Sequence, residues 1–195
     1  MASVPSSLRA RSFLSCTDVG SFWLRWAPTF LGFPLGGTLG MVTVGAVSSP
    51  ATALVGGLLA GAALGAVQWL ALRNRLPGIA WIPATAVGQA LGLAAGSALV
   101  NYQTDLGSLA VQGAVMGAAI GLLQAFVLRR SLAGWFWWAL AMPLLWALGW
   151  SVTTLAGVQV DQQFTNFGSL GAIVVTIFSG LLLTRLLQNP RAKAA

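Results

Sequence analysis

The stretch GLLAGAALGAVQWLALR, residues 57–73, decides the fold of this chain. It is apolar until Arg73, except for one carboxamide at Gln68, and its glycines recur at every fourth position. A membrane-spanning helix needs about 20 apolar residues, and this run supplies most of one. Residues four apart lie on one face of an α-helix, so Gly57, Gly61 and Gly65 form a stripe at which a second helix can approach closely. The stretch therefore predicts a transmembrane helix that packs through a small-residue face.

The same pattern returns 56 residues later as GAVMGAAIGLLQAFVLR, residues 113–129. Gly113, Gly117, Gly121 and Gln124 take the places of the first glycines and glutamine, while Gly180 stands where a third glutamine is expected. Self-similarity at a fixed period is the sign of a repeat architecture. We expect three copies of a two-helix hairpin, with units at approximately 23–78, 79–134 and 135–190. Each unit holds an even number of spans, so the copies should be parallel.

Composition requires a bilayer around these helices. Apolar residues make up 57% of the chain and charged residues 7%, whereas a soluble domain carries about 25% charged residues. We expect an all-α integral membrane protein of one domain, residues 1–195, in contact with the lipid bilayer. Residues 1–22 form a polar cytoplasmic lead-in, and Phe13-Leu14-Ser15-Cys16 lacks the apolar run of a signal sequence. The six predicted spans are 27–47, 51–72, 80–100, 108–128, 135–156 and 168–187.

The basic residues predict the orientation of the spans. With six spans, all ten lysines and arginines fall on one side of the membrane. Basic residues mark the cytoplasmic side, so both termini should be cytoplasmic. Tryptophans near these ends fit an interfacial belt, and Tyr102, Phe164 and Phe167 are predicted to mark the opposite interface. The arginines that determine this topology follow the even-numbered spans: Arg73, Arg75, Arg129, Arg130 and Arg185.

The repeated run Gly-x-x-x-Gly-x-x-x-Gly-x-x-Gln-x-x-x-Leu-Arg, followed by a tryptophan-rich start to the next span, resembles a group of uncharacterised multi-pass membrane proteins of bacteria, cyanobacteria in particular. The resemblance covers residues 57–100 and 113–150, about half of the chain. It implies a bacterial inner (cytoplasmic) or thylakoid membrane and a repeated hairpin. It brings no activity with it.

Three glutamines inside the spans are the candidate polar residues. Gln68 and Gln124 lie near the arginine-bearing ends, where a carboxamide can form hydrogen bonds between helices or line a polar vestibule. The structural role is favoured, because Gly180 replaces the third copy. Gln89 has no repeat partner, since Leu145 holds that position, and it is the better candidate for a singular site. Trp146 and Trp150 are predicted to pack in the core.

No catalytic, metal or cofactor constellation is recognisable in the sequence. There is no histidine, one cysteine and three acidic residues, so we expect no enzyme activity, no metal and no cofactor. The net charge of +7 is spread thinly, which disfavours nucleic-acid binding. Two functions stay open: an accessory or scaffold subunit bound to other membrane protein subunits, and a small-molecule carrier or substrate-binding component of a transporter.

Overall fold

The long elements of the fold are helices throughout the part of the chain that the computed structural model describes, residues 16–76, 78–158 and 165–188. Six segments of this part are long and apolar enough to cross a membrane, which confirms the predicted multi-pass helical membrane protein. The elements in chain order are α1 (Cys16–Trp26), a 3-10 turn (Ala27–Leu31), α2 (Gly32–Val44), α3 (Pro50–Leu72), α4 (Trp81–Leu99), α5 (Leu106–Leu128), α6 (Trp135–Leu155) and α7 (Ser169–Leu187).

The first span is composite, and it begins earlier than residue 27, where the sequence predicts its start. It runs from Val19 to Val44 and includes α1, the 3-10 turn and α2. Pro28 supplies no backbone N–H, and the α-helix gives way to the tighter 3-10 geometry around it. Phe22 and Trp26, one turn apart, stack with ring centroids 5.9 Å apart and are both buried. Burial of these rings extends the helix back to Cys16, into the region 1–22 that the sequence predicts as a polar lead-in.

The six spans form a closed ring. Each helix packs against the next one along the chain, and α7 packs against α1, the 3-10 turn and α2. A hydrogen bond closes this seam, because the indole Nε1 of Trp26 donates to the backbone carbonyl of Thr176 at 2.9 Å. We call the end of the ring that carries Arg73, Arg129 and Arg185 the arginine end, and the other end the opposite end.

Local signals start the two longest helices at the opposite end. Ser49 and Thr52 form a reciprocal capping box ahead of Pro50, the first residue of α3. Asp105 accepts a hydrogen bond from the backbone N–H of Ser108 at 3.0 Å and so caps α5. These caps satisfy backbone donors that the helices themselves leave unpaired.

Candidate functional site

Glycines bring neighbouring helices into backbone contact inside the ring. A Cβ atom added at Gly61 would lie 2.7 Å from the Cα of Ala86, and one added at Gly57 would lie 2.8 Å from the Cα of Ala90. Gly65 faces Thr85 at 2.9 Å in the same manner. All three therefore face α4 within the same chain. The alternative weighed for this stripe, a dimerisation face, would need it on the outside of the ring.

The contacts made by glycines recur 56 residues further along the chain. Gly36 lies against Ala60 and Gly92 against Met116, with Cβ-to-Cα distances of 3.1 and 2.6 Å. The glycines of α5 contact α6 in the way that those of α3 contact α4. The pairs are Gly57 with Ala90 and Gly113 with Trp146, Gly61 with Ala86 and Gly117 with Met142, and Gly65 with Ile82 and Gly121 with Ala139.

A hydrogen-bonded network, which we call the glutamine cluster, occupies the arginine half of the ring. The carboxamide of Gln124 donates through Nε2 to Thr85 Oγ1 at 2.8 Å and accepts through Oε1 from the indole N–H of Trp138 at 2.9 Å. Gln68 Oε1 accepts from the indole N–H of Trp81 at 3.0 Å and lies 3.4 Å from Gln124 Nε2. The cluster joins α3, α4, α5 and α6 across the interior.

The tryptophan that reaches Gln124 is Trp138, although the 56-residue shift aligns Trp81 with Trp137. Trp137 is 55% exposed on the outside of the ring. The difference follows from the helix starts: α4 begins at Trp81, whereas α6 begins at Trp135, two residues ahead of the aligned position. The longer first turn of α6 turns Trp137 outward and Trp138 inward.

The third glutamine position is filled by an aromatic ring from the other end of the chain. Gly180 has no side chain, and a Cβ atom there would lie 2.5 Å from Cδ1 of Trp26. The indole of Trp26 occupies this space and bonds to the carbonyl of Thr176, one turn before Gly180. Glycine at position 180 therefore makes room for the seam between the first and last spans.

The opposite half of the ring is filled by a segment between α6 and α7 that we call the plug, Thr165–Phe167. All three residues are buried. The carboxamide of Gln89 donates to the carbonyl of Thr165 at 3.0 Å, and the carboxamide of Asn166 donates to the carbonyl of Phe33 at 3.3 Å. Residues 158–166, which the sequence predicts as a polar outer break, therefore end inside the ring; positions 159–164 lie outside the described residues.

Phe167 does not mark the membrane interface, as the sequence predicts, but fills the core. Its ring is stacked on that of Phe33 at 4.8 Å and meets Trp146 and Trp150 edge-on at 5.0 and 5.9 Å between centroids. Only 2% of its surface is exposed. Because Gly149 has no side chain, its α6 backbone can approach this ring, whose Cζ would lie 2.9 Å from an added Cβ. Phe164, the other predicted marker, lies outside the described residues.

Four polar atoms around the plug have no hydrogen-bond partner in the described part of the chain: Gln89 Oε1, Thr165 Oγ1, Asn166 Oδ1 and Trp150 Nε1. Leaving such a group unpaired in a buried position costs about 1–3 kcal/mol. The set mixes carboxamide acceptors, a hydroxyl and an indole donor. Gln89, the singular glutamine of the sequence, thus belongs to this set and not to the glutamine cluster.

The predicted topology residues sit around the arginine end. Arg73 and Arg129 follow the last turns of α3 and α5, and Arg185 lies in the last turn of α7. Arg75 donates to Ser21 Oγ of α1 at 2.6 Å, which ties the first span to the loop after α3. Arg129 covers the Phe126 ring at 4.5 Å, and Arg130 is exposed beside it.

Acid–base and metal chemistry find few side chains here. Among the described residues there is no group of three His, Cys, Asp or Glu that could hold a metal ion. Hydrogen bonds from the side chain and the backbone N–H of Ser108 hold the pKa of Asp105 below its ordinary value, so its carboxylate serves as a helix cap. The space between Phe33, Gln68, Gln124 and Trp146 has room for about one water molecule.

Comparisons with protein-family models, with curated proteins and with solved structures found no match. The geometry of the ring is therefore the basis for inferring function.

Proposed function

We propose that this chain is a non-enzymatic accessory or scaffold subunit of a larger complex in a bacterial cytoplasmic or thylakoid membrane. The observation that carries the proposal is the filled centre of the ring. Aromatic rings of Phe33, Trp146 and Phe167 occupy one half and the glutamine cluster the other, so the fold resembles a solid body more than a conduit. Its outer surface carries leucines, valines and phenylalanines that lipid or another subunit can cover.

Within this proposal the ring consists of three parallel copies of one two-helix unit. The recurrence of glycine contacts at 56 residues supports this arrangement, as do three comparable tryptophan positions near the arginine end. Trp81 bonds to Gln68, Trp138 to Gln124, and Trp26 packs on Gly180, so each copy inserts an indole at the glutamine position of the copy before it. The first copy thereby follows the third, as a closed ring requires.

Both termini are placed on the cytoplasmic side. The six arginines of the described residues flank helices at one end of the ring, and Asp105 lies at the other. Positive charge near span ends is retained on the cytoplasmic side, which supports this orientation.

Native purification with a scan of the outer surface tests the subunit proposal. A mild-detergent extract should contain the chain in a complex well above the mass of a 20.1 kDa protein with its detergent. Tryptophan replaces one exposed residue per span in turn, and variants on one or two neighbouring helices should release the chain while the others do not. The six positions are Leu35, Leu58, Leu91, Leu122, Leu144 and Leu181.

Two results would contradict the subunit proposal. The first is recovery of the unmodified chain as a stable monomer, and the second is a scan in which all six variants behave alike. The carrier alternative is supported by one specific observation, the polar atoms around the plug. Solute uptake by the monomer in proteoliposomes, lost in Gln89→Leu, would favour that alternative.

A further inference from the structure

The plug exists because α7 starts late. α3 begins at Pro50 and α5 at Leu106, which are 56 residues apart, and the same interval places the next start at residue 162. α7 instead begins at Ser169. Thr165, Asn166 and Phe167 occupy positions that are helical in the two earlier hairpins, and here they turn into the ring.

The ring has a shaped receptacle for these residues. A Cβ atom added at Gly40 or at Gly56 would lie 2.7 Å from the side chain of Thr165, so side chains at these positions would exclude it. Gly149 leaves the corresponding space for the Phe167 ring. The receptacle is thus formed by α2, α3, α4 and α6, and the plug is its occupant in this structure.

The plug meets its receptacle as a ligand meets a protein. Gln89 donates to a carbonyl oxygen, the carbonyl of Phe33 accepts from a carboxamide N–H, and an aromatic ring lies between Phe33, Trp146 and Trp150. Yet Gln89 Oε1 and Trp150 Nε1 have no partner in the described chain while both residues are fully buried. A molecule that paired these atoms as well would satisfy the receptacle better than the plug does.

We propose that the receptacle is a binding site for a small uncharged molecule that carries a flat ring and a carboxamide, and that the plug competes for it. The described side chains that contact the plug carry no charge, and burying an ion without a partner there would be costly. This site is independent of whether the chain is a subunit, and it would place ligand control at the opposite end of the ring.

Equilibrium dialysis with benzamide as the probe tests the proposal on the full-length protein in detergent. The wild type should bind benzamide saturably. Phe167→Ala removes the competing ring and should bind it at least about tenfold more tightly, since a site that is open more of the time gains apparent affinity by that factor. Toluene is the comparator, because it has the ring without the carboxamide.

Variants at the glutamine distinguish the proposed site from a cavity created by mutation. In the Phe167→Ala background, Gln89→Leu should weaken benzamide binding about three- to tenfold, the value of one hydrogen bond. Gln112→Leu is the matched control, since Gln112 is equally buried but its carboxamide contacts Met116 in its own helix. Gln89→Asn, which withdraws the carboxamide, should act in the same direction if Gln89→Leu does not fold.

Three outcomes would overturn the proposal. They are absence of saturable benzamide binding to the wild type, a preference of Phe167→Ala for toluene over benzamide, and equal loss in the Gln89→Leu and Gln112→Leu variants. A preference for toluene would mean that the ring space is an adventitious apolar cavity only.

Discussion

At the scale of single residues, the interior of this protein depends on carboxamides more than on charges. A carboxamide can donate and accept at once, so Gln124 serves two helices with one side chain. A charged residue at the same place would require a buried partner, which costs more to provide in a membrane interior. The glutamines therefore link helices without introducing ionisation.

Replacing Gln124 tests this role. Gln124→Leu leaves the indole N–H of Trp138 and the hydroxyl of Thr85 without their partner, and it should lower the free energy of unfolding by about 1–2 kcal/mol. Titration with SDS in mixed micelles measures that energy. Gln188→Leu, at an exposed position after α7, is the matched control and should change it little. Equal effects of the two variants would remove the cluster from the account of stability.

The third glutamine position offers a second test at this scale. Gly180→Gln restores the residue of the other two copies, but its Cβ would lie 2.5 Å from the Trp26 ring. Crowding of this kind should destabilise the protein by about 1–3 kcal/mol. In a Trp26→Ala background the same substitution should cost much less, because the space is then free. Additive effects in this double-mutant cycle would contradict direct packing of Trp26 on Gly180.

At the scale of helices, close backbone approach is the main source of packing. Without a hydrophobic force between helices in lipid, dispersion contacts between closely spaced backbones stabilise the bundle. Gly61 and Gly117 lie at the centres of two such contacts, with α4 and α6 respectively.

A single methyl group tests those contacts. Gly61→Ala and Gly117→Ala would place the new carbon against Ala86 and against the backbone carbonyl of Met142, and each should destabilise the protein by about 1–3 kcal/mol. Gly20→Ala in α1 is the control, because nothing lies within 4 Å of its added carbon, and alanine is the better helix former. Thermal unfolding in detergent gives the comparison. If all three variants melted alike, the glycine contacts would not determine stability.

Six spans and the two glycine faces could be predicted because their signals are local: long apolar runs and glycines four residues apart. The plug could not, because Thr165 and Asn166 have the composition of an exposed loop. Their burial depends on Gly40 and Gly56, which lie far away in the sequence. The start of α1 was missed for a similar reason, since Phe22 and Trp26 bury their rings against later parts of the chain. Among the site residues, Gln89 stood out only as an exception to the repeat.

At the scale of the whole molecule, orientation in the membrane is the property most open to test. In a Cys16→Ser background, single cysteines at the exposed positions Ser48 and Gln103 should react with an impermeant thiol reagent in intact cells. Cysteines at Asn74 and Ala133, exposed at the arginine end, should react only after the membrane is broken. The physical reason is retention of the arginines on the cytoplasmic side. A reversed or mixed pattern would contradict six spans with both termini inside.

The seam between the first and last spans also has a consequence for the order of assembly. Trp26 and its partner Thr176 are 150 residues apart, whereas the other spans meet neighbours that are made next. A ribosome adding about 5–20 residues per second needs roughly 10–30 s to make the intervening chain. During that time the first span lies in the membrane with only one of its two flanks covered. A chain interrupted before α7 would keep that flank open, and it would be recognisable to quality-control proteases as an unfinished ring.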